Sequence, residues 1–262
     1  MTTQEPAGAE SAGEPGLAHL VELLRAADTA WTTAEGVTRH WRRQDLVVRA
    51  FHRHFDRLSA ESPDAVTWLV SMSDEGADAA GTDSGGPADE VLETVLAVAA
   101  DRPLRRRRAE LVSGRGEEHR ADLVVVDQDT FWARTGTEVS TNHGNVDHGH
   151  GGADVIYALL CPGYVPALFT LTLLGRTQLA GRDCIGVGAR PRTDVPDDER
   201  WNWPGSPFDM ITGGDEFRLA VDVGTGVIVR ASKFVDGELA EVTEWQELRL
   251  DPALPTSLFA PP

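Results

Sequence analysis

The C-terminal half of the chain alternates apolar and polar residues between tight turns, and this pattern restricts the fold more than any other feature. Within 216–223 every second residue is apolar, namely Phe217, Leu219, Val221 and Val223. Because successive side chains of a strand point to opposite faces, this pattern predicts a half-buried strand. Turn sequences separate the strands at Ala180-Gly181, Gly224-Thr225-Gly226 and Asp236-Gly237. The region 171–250 is therefore predicted to be an antiparallel meander.

Two strands of this meander depart from regular alternation. Trp245 has the wrong parity for the apolar face of the last strand, so a β-bulge near Glu244 is expected to return it to the core. On another strand Cys184, Gly186 and Gly188 share a face that is almost without side chains. Either a packed helix or a ligand is expected to approach that backbone closely, and a helix is the simpler alternative.

The N-terminal part combines helical and strand patterns. Residues 17–27 repeat apolar side chains every three or four positions, which predicts a helix with one buried face. A second helix is predicted from Leu46, with Asp45 as its N-cap and an apolar stripe of Leu46, Ala50, Phe51, His54 and Leu58. The segment 37–43 between them fits a strand better than a helical continuation.

Four strand-length segments follow, at 91–99, 104–113, 120–126 and 130–134, each bounded by turn residues. A hairpin turn is predicted at Asp127-Gln128-Asp129, a helix from about Asp154 to Cys161, and a return of Leu258-Phe259 onto the sheet. This order of elements predicts an α+β fold in which helices cover one side of an antiparallel sheet.

Composition sets the domain boundaries. Residues 1–16 are small, polar and acidic without apolar periodicity, which predicts a disordered acidic tail. Residues 17–262 are predicted to form a single domain, interrupted by a flexible insertion at 74–89 that is rich in Gly, Asp, Ser and Ala.

Charge and motifs exclude several function classes. The net charge of −18 opposes binding to nucleic acid. Lys233 is the single lysine, so a phosphate-binding Gly-Lys-Ser/Thr loop is impossible, and its place in a strand predicts a solvent-facing side chain. No serine-hydrolase elbow, zinc-protease motif or dinucleotide-binding glycine motif occurs. A protein without catalytic activity and without a cofactor is therefore predicted.

The start of the chain lacks a basic, then apolar, signal sequence and a lipobox cysteine, and no apolar run reaches 18 residues. These features predict a cytoplasmic protein without a transmembrane segment. In that compartment Cys161 and Cys184 are expected to be buried, reduced thiols rather than a disulfide.

Three stretches resemble the LolA-like family, which includes lipoprotein carriers and periplasmic stress sensors. They are VVVDQDTFWART at 124–135, LLGRTQLAGRDCIGVGARPR at 173–192, and GGDEFRLAVDVGTGVIVRASKFVDGELAEVTEWQEL from 213 with the ending LPTSLFAPP. The resemblance extends over 91–259. It implies an unclosed β-barrel, in which a curved antiparallel sheet is covered on its concave face by helices, and an apolar interior that accepts acyl chains. It implies no catalytic residues.

Seven residues are candidates for contact with a ligand in such an interior. Trp201 and Trp203 lie in the polar loop 193–214, where they are expected either to fill the core or to contact an apolar ligand or partner. The remaining candidates are ordinary core residues or belong to the glycine face: Trp132, Tyr157, Phe169, Gly186 and Gly188.

A histidine-rich loop offers an alternative chemistry. His143, Asp147, His148 and His150 could ligate zinc, although structural zinc sites need four fixed ligands; a polar rim loop is the alternative interpretation. The arginine run 105–108 is expected to point to both faces of a strand and to protect a sheet edge, or else to bind an acidic partner.

Three hypotheses follow from the sequence. The first is a binding protein that holds a lipid-like or other hydrophobic ligand, such as an acyl chain, between sheet and helices. The second is a protein-interaction or sensor module whose interior is filled by its own side chains. The third is a metal-binding protein that uses the loop from His143 to His150.

Overall fold

A computed structural model describes residues 16–61, 91–115, 121–143, 153–195 and 214–262. Its helices are α1 (Leu17–Ala27), α2 (Gln44–Glu61), α3 (Ala153–Leu160) and α4 (Val165–Leu168), with short 3-10 helices at Pro162–Tyr164 and Thr256–Phe259. Its strands are β1 (Thr33–Arg43), β2 (Val91–Asp101), β3 (Arg106–Arg115), β4 (Leu123–Asp127), β5 (Thr130–Thr135), β6 (Glu138–His143), β7 (Phe169–Leu179), β8 (Arg182–Pro191), β9 (Glu216–Asp222), β10 (Ile228–Val235) and β11 (Glu238–Leu250).

These strands form one antiparallel sheet in the order β6-β5-β4-β3-β2-β1-β11-β10-β9-β8-β7. The first and last strands of the chain pair with each other in the middle, and β6 and β7 are the two edges. The sheet is therefore unclosed, and the predicted meander is confirmed as β7 to β11. The α+β class with helices on the concave face is confirmed as well.

Positive backbone φ angles explain the predicted hairpin turns. Ala180 and Gly181 have φ of 49° and 72°, and Asp236 and Gly237 have φ of 54° and 77°. Two consecutive left-handed residues are the conformation of the two-residue turn that matches strand twist. The strand expected at 37–43 is also confirmed, because β1 extends over it.

The register divides the sheet into an inner face, which carries α1, α3 and α4, and an outer face. The inner face and these helices share one apolar cluster that extends from Val124 on β4 to Leu171 on β7. Its largest fully buried side chains include Trp31, Phe169 and Phe217, and the rings of Phe169 and Phe217 meet edge to face at 5.2 Å. On the side of β7 to β9, the interior is thus filled by large side chains.

A second cluster forms on the outer face around the C-terminal segment. Phe259 is 3% exposed and packs with Ala99, Leu123 and Val125. Leu258 lies at the margin of the same cluster. The predicted return of Leu258-Phe259 onto the sheet is confirmed.

The predicted bulge on β11 exists, but its position was wrong. The pairing between β1 and β11 passes from Thr38 opposite Trp245 to Val37 opposite Glu247, so Gln246 is the additional residue. Trp245 is 2% exposed and already points to the inner face. The bulge at Gln246 instead returns Leu248, which follows it, to the inner cluster.

The expectation that the arginine run protects a sheet edge was wrong. β3 lies between β2 and β4, and both Arg106 and Arg107 are 8% exposed. The alternation is confirmed, since Arg106 lies over the ring of Phe259 on the outer face and Arg107 lies over the ring of Tyr157 on the inner face. Aromatic rings and the buried ion pair of Arg106 with Asp101 explain why these arginines are tolerated inside the sheet.

Three further details differ from or lie beyond the sequence predictions. Helix α2 begins at Gln44, so Asp45 lies in the first turn of the helix rather than at its N-cap. Of the predicted apolar stripe of this helix, Leu46 and Ala50 are buried, and the other side chains lie outside the described residues. The strand β6 was not predicted. The acidic tail up to residue 15 and the insertion at 74–89 lie outside the described residues.

Within the described ranges, no helix has the length and apolarity needed to cross a membrane.

Candidate functional site

A polar patch interrupts the inner face where β2, β1, β11 and β10 lie side by side. We define this polar patch by seven neighbouring residues of these strands: Thr38, His40, Thr94, Lys233, Glu241, Thr243 and Trp245. Paired positions place Lys233 beside Glu241, His40 beside Thr243, and Thr38 beside Trp245. Thr94 follows on β2, opposite His40.

Glu241 is the centre of the charged part of the patch. Its Oε1 lies 2.6 Å from Nε2 of His40, and its Oε2 accepts a hydrogen bond of 2.9 Å from Nζ of Lys233. The side chain of Lys233 is 2% exposed, and those of His40 and Glu241 are 13% and 14% exposed. A buried ammonium group requires such a partner, because an uncompensated charge in the interior is strongly unfavourable.

The pKa of Glu241 reflects these contacts. Burial alone would raise the pKa, but the charge of Lys233 and the hydrogen bond with His40 outweigh burial and hold the pKa of Glu241 well below its usual range. Glu241 is therefore a carboxylate at neutral pH, and its negative charge balances the ammonium group beside it.

Two donors in the patch have no partner among the described residues. Oγ1 of Thr243 and Nε1 of Trp245 are both buried without a hydrogen bond, in side chains of residues that are 1% and 2% exposed. An indole N–H can only donate, and a hydroxyl group can donate or accept. Because a buried polar group without a partner destabilises the folded state, this pair of atoms is suited to an acceptor from outside the described chain.

An apolar surface begins directly beside these donors. The row that contains Thr243 continues across the sheet through Ala231, Leu219 and Val187, which are all buried. In the opposite direction the same row is polar, with His40 and Thr94. The inner face thus changes from polar to apolar within one row of side chains.

Helices contact the sheet on both sides of this row. Leu46 and Ala50 of α2 pack on Val235 and Ala240, beyond the pair of Lys233 and Glu241. At the other end Tyr157 of α3 lies against Arg107. Helix α3 also contacts β10, the strand that carries Ala231 opposite Thr243.

Two of the predicted pocket residues lie at the inner face. Tyr157 is half-buried and meets the ring of Trp31 edge to face at 6.2 Å, and burial raises the pKa of its hydroxyl group. Phe169 is 2% exposed and belongs to the inner cluster with Phe217. Trp31, which lies just before β1, donates a hydrogen bond of 3.0 Å to the carbonyl oxygen of Leu160, the last residue of α3.

Of the other predicted pocket residues, those that are described are not brought together with these two. Trp132 lies at the margin of the outer cluster with Phe259. Gly186 and Gly188 are approached by neighbouring strand β7, because a Cβ atom at Gly188 would lie 2.6 Å from Oγ1 of Thr172 and one at Gly186 would lie 3.4 Å from Cβ of Leu174. Neither a helix nor a ligand is needed to explain this glycine face. Trp201 and Trp203 lie outside the described residues.

The histidine-rich loop is described only at its first member. His143 is exposed at the end of β6, with its Nδ1 atom 3.2 Å from Oγ1 of Thr130. His148 and His150 lie outside the described residues. In the part of the chain that is described, no three His, Cys, Asp or Glu side chains are grouped as metal ligands.

Sequence reasoning missed the polar patch. The expectation that Lys233 faces solvent was wrong, because Glu241 on the next strand pairs with it inside the protein. One signal was available: Lys233 has the same parity as Ala231 and Val235, which are both buried. The unpartnered donors had no sequence signal, since Thr and Trp are common in strands.

An unclosed antiparallel sheet with helices on its concave face is the fold that the LolA-like resemblance implied.

No family model matches the chain, and no curated protein matches it either. Three solved structures are similar over most of the chain. MucB, with 14% identity and a TM-score of 0.46, is matched over 93% of this chain and 62% of its own length. The lipoprotein LppX of Mycobacterium tuberculosis has 10% identity and a TM-score of 0.45, with 91% and 99% covered. An uncharacterized conserved protein of Thermus thermophilus has 10% identity and a TM-score of 0.46, with 91% and 90% covered. The chain therefore spans less than two thirds of MucB.

Proposed function

We propose that this protein is a binding protein, without catalytic activity, that holds a hydrophobic ligand at the inner face between sheet and helices. The observation that carries the proposal is the inner face itself. It carries an apolar cluster beneath α1, α3 and α4, and this cluster adjoins the polar patch with its two unpartnered donors. Apolar surfaces that adjoin a few placed polar groups are typical of small-molecule sites.

Retention of a ligand is the first test. Protein purified without detergent is expected to carry an additional lipid-like mass in native mass spectrometry. It is also expected to bind the fluorescent probe N-phenyl-1-naphthylamine. Absence of both signals in folded protein contradicts the proposal.

A matched pair of substitutions locates the binding surface. Ala231→Leu places a larger side chain on the inner face, while Ala97→Leu makes the same change on β2 at a position of outer-face parity. The inner-face variant is expected to weaken probe binding by about tenfold, a loss of about 1.4 kcal/mol. The outer-face variant should bind like the original protein, and circular dichroism establishes that both variants are folded. Equal affinities in the two variants contradict an inner-face site.

A second candidate function is a protein-interaction module with a filled interior. Two observations favour it: Phe169 and Phe217 fill the interior near β7, and Leu173 and Leu174 of this edge strand are 37% and 56% exposed. Exposed leucines on an unpaired edge are suited to strand addition by a partner. Under this alternative Leu174→Lys abolishes recovery of a partner protein and probe binding is absent.

A further inference from the structure

The edge strand β6 lacks the features by which exposed sheet edges usually avoid pairing. All six of its residues are exposed, and they pair with β5 one to one, without a bulge. The strand contains neither lysine nor proline. The opposite edge, β7, is interrupted by a bulge at Leu174, so that a second strand cannot pair regularly along all of it. We propose that β6 pairs with β6 of a second copy of this chain and joins the two sheets in a dimer.

The register of the hairpin determines which backbone groups of β6 face outward. Gly136-Thr137 is a two-residue turn with a φ of 59° at its glycine, so the residues that flank it form a hydrogen-bonded pair. Hydrogen-bonded and non-hydrogen-bonded pairs alternate along an antiparallel ladder. Val139, Thr141 and His143 therefore direct their N–H and C=O groups away from β5, toward the free edge.

These outward groups are self-complementary about a two-fold axis at Thr141. When two copies pair antiparallel about this axis, Thr141 lies opposite Thr141 of the second copy, and Val139 lies opposite His143 of the second copy. This register uses the outward groups of both strands in about six main-chain hydrogen bonds. Because a two-fold axis relates each copy only to the other, the assembly closes as a dimer.

The distribution of charge favours a second copy as the occupant of this edge. Residues 139–142 are uncharged, in a chain with a net charge of −18. In the proposed register the two Glu138 side chains lie at opposite ends of the paired strands, about 20 Å apart, so like charges do not face each other. Val139, which is 48% exposed, and Thr141, which lies beside Trp132, both belong to the outer face. That face becomes continuous across the two copies.

Sedimentation velocity of the full chain over a range of concentrations tests for the dimer. A reversible dimer is expected, and it should become tighter with added salt, because salt screens the repulsion between two acidic copies. Thr141→Pro removes an outward N–H group at the axis and leaves the pairing with β5 intact, so it should weaken the dimer by at least about tenfold. Gln178→Pro makes the same kind of change on β7, at an outward position two residues before the Ala180-Gly181 turn, and should retain the dimer. Circular dichroism establishes that both variants are folded.

Cross-linking by mild oxidation tests the register. Thr141→Cys places two thiols across the axis with Cα atoms about 5.5 Å apart, which is within the range of a disulfide. Glu138→Cys places the two thiols about 20 Å apart, which is too far for a disulfide. Thr141→Cys is therefore expected to give a covalent dimer on a denaturing gel without reductant. Glu138→Cys and the original chain should remain monomeric on this gel.

The outcomes separate this interface from others. A chain that is monomeric at every concentration overturns the inference. A dimer that persists in Thr141→Pro, or that is weakened equally in Gln178→Pro, overturns it as well, because the contact then lies elsewhere. Weakening in Thr141→Pro alone, together with the covalent dimer of Thr141→Cys, supports it. None of these measurements depends on ligand binding, so the inference and the proposed function are tested independently.

Discussion

Glu241 holds the charged part of the polar patch together, because its carboxylate contacts both His40 and Lys233. Glu241→Gln keeps the shape of the side chain and removes the charge that faces a buried ammonium group. We expect the free energy of unfolding to fall by about 3 kcal/mol at neutral pH, as when one partner of a buried ion pair is removed. Urea denaturation followed by tryptophan fluorescence measures this loss.

The exposed ion pair of Glu35 with Arg249 is the control. Arg249 Nη2 lies 2.8 Å from Glu35 Oε2, but their side chains are 69% and 35% exposed. Glu35→Gln should therefore cost less than about 1 kcal/mol, because solvent screens the pair. Equal losses in the two variants contradict the role given to burial at Glu241.

The sign of the pH dependence follows from the lowered pKa of Glu241. Its stabilising contribution is complete above the pKa of the unfolded state, about 4.3 for Glu, and is lost as the pH falls through the lower folded pKa. The stability difference between the original protein and Glu241→Gln should therefore shrink below about pH 4. A difference that grows on acidification contradicts the lowered pKa.

The two thiols are expected to be unreactive in the folded protein. Burial raises the pKa of Cys161 to about 12, with a further contribution from Asp28, and raises that of Cys184 to about 11. Because only the thiolate attacks disulfide reagents, folded protein at pH 8 should react with Ellman's reagent at least about a hundredfold more slowly than unfolded protein. Both thiols are free; Cys184 is buried as expected, whereas Cys161 is half-buried. A fast phase of either thiol contradicts their raised pKa values.

At the level of the elements, the bulge on β11 depends on a glycine of β1. A Cβ atom at Gly36 would lie 2.0 Å from the carbonyl oxygen of Glu247, next to the additional residue Gln246. Gly36→Ala therefore forces the central strand pair apart. We expect a loss of at least about 3 kcal/mol, or failure to fold, because backbone atoms on both sides cannot move away. Thermal unfolding monitored by circular dichroism measures the effect.

Gly114→Ala is the matched control for this substitution. At Gly114 of β3 the nearest atom to an added Cβ is a side-chain carbon of Leu111 at 3.5 Å, an ordinary contact. The expected change is below about 1 kcal/mol. Similar losses at both glycines contradict the close approach of β1 and β11 at the bulge.

Whether the sequence alone predicts an element depends on how far apart along the chain its interacting residues lie. The hairpins at Ala180-Gly181 and Asp236-Gly237 are local, so their turn residues predict them. The pairing of β1 with β11 joins residues about as far apart as the chain allows, and no local pattern indicates it. For the same reason the sequence pattern predicts a solvent-facing Lys233, because only the register of β10 and β11 places Glu241 beside it.

For the whole molecule, the position of the chain ends determines how the two halves of the sheet are joined. The half formed by β1 to β6 and the half formed by β7 to β11 meet at the pair of β1 and β11. The chain then leaves β11 and crosses the outer face to β3 and β4, where Phe259 is buried. Backbone hydrogen bonds join the halves at the pair of β1 and β11. The C-terminal segment adds an apolar contact and a hydrogen bond of 3.3 Å from Arg108 Nη1 to the carbonyl oxygen of Leu258.

Phe259 thus connects the two halves from the outer side. Its ring packs with Leu123 and Val125 and lies 4.8 Å from the guanidinium carbon of Arg106, so truncation removes apolar burial and a cation–π contact together. Phe259→Ala is expected to lower the free energy of unfolding by about 3 to 4 kcal/mol, while Ser257→Ala at an exposed neighbouring position should change it by less than about 0.5 kcal/mol. Urea denaturation measures both. Because the outer cluster shares no residue with the polar patch, Phe259→Ala should leave the affinity for N-phenyl-1-naphthylamine unchanged in protein that is still folded. A folded variant that loses both stability and affinity for this probe contradicts the independence of the outer cluster and the inner face.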